Sequence, residues 1–133
     1  YTDGLSDVHL PSVIGAFERS RNVASFVSVK PRASFHLIDT DDVGVVKSIE
    51  HIGTSGSRIN GGFLVLRQEI FNYLNEGEDL VEEPFRRLIA DGKLMAQPHE
   101  GFWACMDTFK ERQELEDVYG RGNAPWVVWN HRA

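Results

Sequence analysis

Apolar and polar positions follow two different periods in the first half of the chain. Around Pro11 the apolar residues recur three and four positions apart, which predicts a helix ending at Arg21. Residues 23–30, 33–40 and 43–51 alternate and are rich in β-branched side chains, which predicts three strands, the last two joined by a turn at Asp41 and Asp42. Residues 1–9 are polar and contain several turn formers, and Tyr1-Thr2-Asp3-Gly4 reads like the end of a strand that enters a loop.

The second half of the chain mixes short strands with helices. The apolar run 63–66 predicts a buried strand, and 94–97 and 102–106 predict two more. Helices are predicted over 68–75, 80–91 and 108–119, with Thr108 as a candidate cap. This order predicts an α/β fold in which helices flank a mixed sheet, with fewer strands than a complete doubly wound domain has.

Composition narrows the possible classes of protein. The chain has 133 residues and no evident linker, so we predict one domain over 1–133. A net charge of -6 argues against a nucleic-acid partner, because phosphate binding needs clustered cations. No apolar run is long enough to cross a membrane. Cys105, the single cysteine, suits a reducing compartment, and we expect a cytoplasmic protein.

A series of short motifs points to one enzyme family. They are Tyr1-Thr2-Asp3-Gly4, Asn60-Gly61-Gly62, Glu83-Pro84, Gly101-Phe102-Trp103, Met106-Asp107-Thr108 and Ala124-Pro125-Trp126. In this order and at these separations they resemble the sugar-1-phosphate nucleotidyltransferases, closest to the glucose-1-phosphate cytidylyltransferases. The resemblance implies a partial Rossmann-like sheet, truncated at the N-terminus, that forms the C-terminal, sugar-phosphate-binding portion of the nucleotidyltransferase domain.

The family reaction joins a nucleoside triphosphate, which we expect to be CTP, to a hexose-1-phosphate, which we expect to be glucose-1-phosphate, and releases pyrophosphate. The family's glycine-rich phosphate loop with its Thr-Arg pair is not among these residues, so we predict that this chain alone is inactive. The alternative is a non-catalytic remnant that binds a sugar phosphate or serves oligomerisation. Both hypotheses predict a homo-oligomer, because a truncated sheet exposes an edge and an apolar face.

The resemblance implies that Asp3 and Asp107 are catalytic carboxylates that hold Mg²⁺. Magnesium prefers hard oxygen ligands, often one or two carboxylates completed by phosphate oxygens and water. Without the resemblance, a loop aspartate more often caps a turn or a helix, and Asp107 could cap the helix that begins at Thr108.

The remaining candidates are expected to bind the sugar phosphate. The resemblance places Asn60, Gly61 and Gly62 beside the sugar ring, although a β-bulge or tight sheet packing explains the two glycines equally well. Glu50 is expected to accept hydrogen bonds from sugar hydroxyls, the alternative being a solvated strand end. His51 stands where the family has a phosphate-binding lysine. Because a neutral imidazole holds phosphate poorly, we favour a surface role for His51 and keep it as a candidate.

Overall fold

The structure is a computed structural model, and it describes residues 3–131. Its strands are β1 Gly4–Ser6, β2 Ala24–Val29, β3 His36–Thr40, β4 Val46–His51, β5 Ile59–Asn60, β6 Val65–Leu66, β7 Leu94–Pro98 and β8 Trp103–Cys105. Its α-helices are α1 Leu10–Arg19, α2 Glu83–Ala90 and α3 Phe109–Gly120, and 3₁₀ helices cover Gln68–Asn72 and Val128–His131. None of the helices in this part of the chain has the length and apolar character needed to span a membrane.

Strand β2 is the centre of the main sheet. It pairs in parallel with β7 along one edge and antiparallel with β5 and β6 along the other. The buried polar groups of this sheet bond to each other, since Gln97 Nε2 donates to Ser25 Oγ at 2.7 Å and to the Val13 carbonyl at 3.0 Å. Because β2 has a parallel neighbour on one edge and antiparallel neighbours on the other, the sheet is mixed, as the sequence predicts.

Helices cover both faces of β2. Successive strand residues point to opposite faces, and β2 follows this rule with Ala24 in one apolar cluster and Val27 and Val29 in another. Phe85 and Leu88 of α2 join the first cluster, and Val13 of α1 joins the second. The alternating sequence of β2 thus forms a strand that is buried on both faces.

Two predictions about strands were wrong. The run 63–66 is not one buried strand, because the backbone turns through positive φ at Gly62 (79°) and Phe63 (51°). Within this run only β6, Val65–Leu66, pairs with β2. The strand expected to end at residues 1–4 lies later, because Gly4–Ser6 pairs with β8. Residues Tyr1 and Thr2 of the first motif lie outside the described residues.

Helix boundaries follow local chemistry. Thr108 caps α3 in a capping box, in which its hydroxyl accepts from the Glu111 N–H while the Glu111 carboxylate accepts from the Thr108 N–H. The predicted cap is confirmed, and the alternative role of Asp107 as the cap of this helix is excluded. Helix α2 begins later than predicted, at Glu83, with Pro84 in its first turn. Its apolar residue Ile89 is exposed.

Strands β3 and β4 form a separate two-stranded sheet. Their antiparallel register runs from His36 opposite His51 to Thr40 opposite Val46, with an irregularity after Asp39. Every residue of both strands is exposed. The hairpin therefore contrasts with β2, although all three strands were predicted from the same kind of alternation.

Candidate functional site

The pairing of β1 with β8 brings Asp3 and Asp107 together. The strands are antiparallel, with Gly4 opposite Cys105 and Ser6 opposite Trp103. The ladder continues by one bond, from the Met106 N–H to the Asp3 carbonyl at 3.1 Å. Asp3 precedes β1 and Asp107 follows β8, so two residues more than a hundred positions apart in the sequence reach the same end of this strand pair.

The two carboxyl groups are in direct contact. A hydrogen bond with the Asp107 side chain, helped by one from the Asp3 backbone N–H, holds the pKa of Asp3 below its ordinary value. Two carboxylates this close repel each other when both are ionised. A cation placed between them would offset that repulsion.

Asp3 and Asp107 line a cleft of about 540 Å³. Its other walls come from β5, from the bulge that follows β5, and from β8. The lining residues are Gly4, Ile59, Asn60, Gly61, Phe63, Leu64, Trp103 and Cys105. Of the sequence-predicted site residues, the cleft thus gathers Asp3, Asp107, Asn60 and Gly61.

The wall formed by Gly61 is fixed by close packing. A Cβ atom at this position would lie 3.0 Å from Val29 Cγ1, 3.1 Å from the Val27 carbonyl oxygen and 3.2 Å from Trp103 Nε1. The Trp103 indole donates to the Gly61 carbonyl at 2.8 Å. Sheet packing is therefore sufficient reason for a glycine here, and it holds the Gly61 backbone rigidly at the edge of the cleft.

Asn60 and Gly62 shape the bulge beside that wall. The Gly62 N–H donates to Asn60 Oδ1 at 2.9 Å, and the Gly62 carbonyl accepts from the Val27 N–H at 2.9 Å. Gly62 adopts a positive φ that other residues rarely take. The Asn-Gly-Gly motif therefore builds a defined turn, with Asn60 and Gly61 on the cleft.

Cys105 belongs to the site but is not a reactive thiol. Its Sγ–H donates to Asp107 Oδ2 at 3.3 Å. Burial, and then the hydrogen bond to Asp107, raise the pKa of Cys105 to about 11. The thiol is protonated at neutral pH and acts as a hydrogen-bond donor that orients the Asp107 carboxylate.

Glu50 and His51 are not part of the cleft lining. Both lie at the exposed end of β4, with Glu50 opposite Leu37 on the hairpin. The His51 ring has local partners, because its Nδ1 accepts from the Gly53 N–H at 3.1 Å and it meets the His36 ring edge-on at 5.3 Å. These two candidates are therefore separated from the four that line the cleft.

The donor set of the cleft suits a hard divalent cation. Within residues 3–131, no group of three or more His, Cys, Asp or Glu side chains is arranged to hold a metal ion. Magnesium needs no such group, since one or two carboxylates with water and phosphate oxygens suffice. The Asp3–Asp107 pair meets this requirement, and the neutral Cys105 thiol beside it does not compete as a ligand.

Two cleft residues have contacts that the sequence did not predict. Trp103 and Cys105 were not among the candidate site residues, yet both line the cleft and contact other site residues. Because strand side chains alternate, residues 103 and 105 share a face of β8, and Cys105 lies two positions before Asp107. The alternation indicates that they share a face, but not that this face meets Gly61 and Asp107.

Known proteins are similar to this chain over nearly its whole length. No family model matches the chain. Over 131 residues, 97% of its length, it is 32% identical to the "Probable glucose-1-phosphate cytidylyltransferase" of Bacillus subtilis and 33% identical to the glucose-1-phosphate cytidylyltransferase of Salmonella typhimurium. These residues make up 51% of each relative, so the chain spans about half the length of the curated relatives it matches.

A solved structure shares the fold. It is a Bacillus anthracis protein assigned as a glucose-1-phosphate thymidylyltransferase and crystallised with sucrose, and the match has a TM-score of 0.57 at 15% identity. The match covers 92% of this chain and 50% of the other. The predicted α/β class, a partial nucleotidyltransferase sheet, is thereby confirmed. Over nearly its whole length, this chain is similar to about half of a glucose-1-phosphate cytidylyltransferase.

Proposed function

We propose that this chain is the sugar-phosphate-binding portion of a nucleotidyltransferase that joins CTP to glucose-1-phosphate and releases pyrophosphate. The observation that carries the proposal is the contact between Asp3 and Asp107 at a cleft also lined by Asn60 and Gly61. The similarity to glucose-1-phosphate cytidylyltransferases supports the substrate class.

In this proposal Asp3 and Asp107 hold Mg²⁺ through their carboxylate oxygens. A bound magnesium ion offsets the repulsion between the two phosphate-bearing substrates and stabilises charge at the transferring phosphorus. The protein supplies position: β1–β8 pairing fixes both aspartates, and the Cys105 thiol limits the rotation of Asp107. Side chains held in place before the ligand arrives lose little further freedom on binding.

The Asn60–Gly62 turn forms the proposed sugar wall. Packing against Val29 and Trp103 holds the Gly61 backbone where it lines the cleft. We expect the sugar ring to bind against this backbone. For Glu50 and His51 the proposed sugar-phosphate contacts rest on their sequence positions alone.

Calorimetric titration tests the metal and sugar-phosphate site. We expect glucose-1-phosphate to bind this chain in the presence of Mg²⁺ and to lose at least tenfold in affinity when EDTA replaces the metal. Asp107→Asn keeps the side-chain volume but removes the charge, and we expect the same loss.

The matched control is Asp117→Asn, which makes the same charge change at an exposed position on α3. It should bind like the unaltered chain. Metal-independent binding, or binding unaffected by Asp107→Asn, would contradict the proposed site. Absence of binding under all conditions would support the structural-remnant alternative instead.

A separate assay tests the activity of the chain by itself. With CTP, glucose-1-phosphate and Mg²⁺ supplied, we expect no CDP-glucose, because the residues present offer no glycine-rich loop to hold the triphosphate. Chromatographic detection of CDP-glucose that disappears in Asp107→Asn would show that this chain is catalytically sufficient.

A further inference from the structure

A group of polar side chains joins the end of β1 to the loop between β7 and β8. His99 Nε2 lies 2.8 Å from Asp7 Oδ1, and the Ser6 hydroxyl donates to the Phe102 carbonyl at 2.7 Å. His99 Nε2 also lies 3.3 Å from that carbonyl. The carboxylate and the carbonyl are both acceptors, so this nitrogen carries a proton and donates it to the Asp7 carboxylate.

The main sheet holds the backbone of His99 in place. The His99 N–H donates to the Ser28 carbonyl of β2 at 2.9 Å, just after the last residue of β7. The His99 carbonyl accepts from Arg58 Nη2 at 2.8 Å, and the same nitrogen donates to the Ser28 carbonyl at 2.7 Å. Because its backbone is fixed against β2 in this way, the His99 ring can hold Asp7 in a defined position.

Gly101 makes room for the contact between His99 and Asp7. A Cβ atom at Gly101 would lie 2.5 Å from Asp7 Oδ1 and 2.7 Å from His99 Cε1, closer than real Cβ atoms come to such neighbours. The sequence marks this glycine as the first residue of the Gly101-Phe102-Trp103 motif without giving it a role. The structure supplies one, because the contact occupies the space that a side chain would need.

The register of β1 on β8 determines where Asp3 lies. Each of these strands has three residues, and together they form a two-stranded sheet. Two-stranded sheets are only marginally stable in water. A slip of one residue would also turn the side chains of β1, and that of Asp3 with them, to the opposite face. So short a pairing therefore needs a further contact that fixes its register.

We propose that His99 is a positioning residue that fixes the register of β1 through its bond to Asp7. That register places Asp3 beside Asp107, so the proposal deepens the function proposed for these two aspartates and rests on it. Asp7 and Asp3 are four residues apart, about 13 Å in an extended strand. Neither His99 nor Asp7 lines the cleft, so both act on Asp3 through the strand and not by contact with a ligand.

Amide hydrogen exchange of the whole chain, followed by NMR without any ligand, tests the register. His99→Ala removes the donor to Asp7. We expect the Met106 amide, which donates to the Asp3 carbonyl at 3.1 Å, to exchange about tenfold faster in this variant. The Arg67 amide, which donates at 2.8 Å to the residue before β2, should exchange at an unchanged rate. A general loss of stability would instead speed both amides alike.

Conservative replacement separates the hydrogen bond from the packing of the ring. His99→Gln keeps an Nε2–H donor at a similar reach, so it should restore the Met106 exchange rate of the unaltered chain. The matched control is His9→Ala, because His9 is exposed and its ring bonds to the nearby Ser12 hydroxyl at 2.7 Å. This control should leave the Met106 exchange rate unchanged.

A glycine pair tests the same contact without removing the histidine. Gly101→Ala places a methyl group on the contact between His99 and Asp7, so it should speed Met106 exchange as His99→Ala does. Gly120→Ala makes the same change where a Cβ atom would meet no atom within 4 Å. It should leave Met106 exchange unchanged.

Calorimetric titration of glucose-1-phosphate with Mg²⁺ measures the consequence at the cleft. His99→Ala should weaken binding about fivefold or more, because Asp3 is no longer held in place before the ligand arrives, and His99→Gln should bind like the unaltered chain. If the unaltered chain does not bind, the proposed function fails and the exchange rates alone decide the register role. Binding that His99→Ala leaves intact, or Met106 exchange that rises no more than Arg67 exchange, would overturn the proposal.

Discussion

Strand β2 and the β3–β4 hairpin have the same kind of sequence and opposite environments. Both alternate β-branched with polar residues, yet five of the six residues of β2 are buried and every residue of β3 and β4 is exposed. The difference arises from neighbours, because β2 has strands on both edges and helices on both faces. An alternating pattern identifies a strand. The neighbouring strands and helices then determine whether that strand is buried and so contributes to stability.

The largest expected effect is in the core that covers β2. Leu88 is fully buried in the cluster with Ala24 and Phe85. Leu88→Ala should lower the free energy of unfolding by about 2–5 kcal/mol, from lost burial and the cavity left behind. Ile49→Ala on the hairpin, measured by urea denaturation at a concentration where the chain is monomeric, should change it by less than about 0.5 kcal/mol. Equal losses would mean that the hairpin is covered within a single chain.

A smaller effect is expected where β2 meets the cleft. A Cβ at Gly61 would press on Val29, the Val27 carbonyl and the Trp103 indole. Gly61→Ala should therefore cost about 1–3 kcal/mol of unfolding free energy, since overpacking forces neighbours to shift. The control is Gly120→Ala, because a Cβ there would meet no atom within 4 Å. If urea denaturation gives the same free energy of unfolding for Gly61→Ala and Gly120→Ala, the residues around Gly61 can shift to accommodate a Cβ atom.

The smallest expected effect concerns an ion pair next to the helix that covers β2. Hydrogen bonds from Arg87, and then from Asn75, lower the pKa of Glu78 to about 2. A lowered folded-state pKa stabilises the protein above the ordinary carboxyl pKa, and this contribution disappears as the pH falls from about 4.5 towards 2. The melting temperature of Glu78→Gln should therefore lie below that of the unaltered chain at pH 7 and approach it near pH 2.

Glu82→Gln provides the comparison for that ion pair. It breaks an exposed i,i+4 pair, at 2.8 Å, between Glu82 at the N-terminal end of α2 and Arg86 within α2. Such surface pairs contribute little, so its melting temperature at pH 7 should stay close to that of the unaltered chain. If Glu82→Gln lowers the melting temperature at pH 7 as much as Glu78→Gln does, the additional hydrogen bonds of Glu78 contribute no stability beyond that of an exposed ion pair.

Much of the fold could be predicted from local patterns. The helix cap at Thr108 and the alternation of β2 act over a few residues, and both predictions were confirmed. The position of strand β1 could not be predicted: a strand end was expected at residues 1–4, whereas Gly4–Ser6 becomes a strand by pairing with β8. The run 63–66 misled because its hydrophobicity suggested a strand while Gly62 and Phe63 bent the backbone.

The candidate site divides in the same way. Family motifs indicated Asp3, Asp107, Asn60 and Gly61, and the structure gathers these four at one cleft. Spacing alone could not have joined two aspartates so far apart. The contacts of Trp103 and Cys105 with Gly61 and Asp107 depend on strand pairing and orientation, which a linear pattern leaves open.

The sequence by itself determined the local elements, the helix cap and the family that the chain resembles, because each depends on residue types within short segments. Only the tertiary structure decided that β2 is buried while the hairpin is exposed, and that Asp3 meets Asp107. Both outcomes depend on contacts between segments far apart in the chain. A local pattern therefore determines neither which strand is buried nor which two carboxyl groups meet.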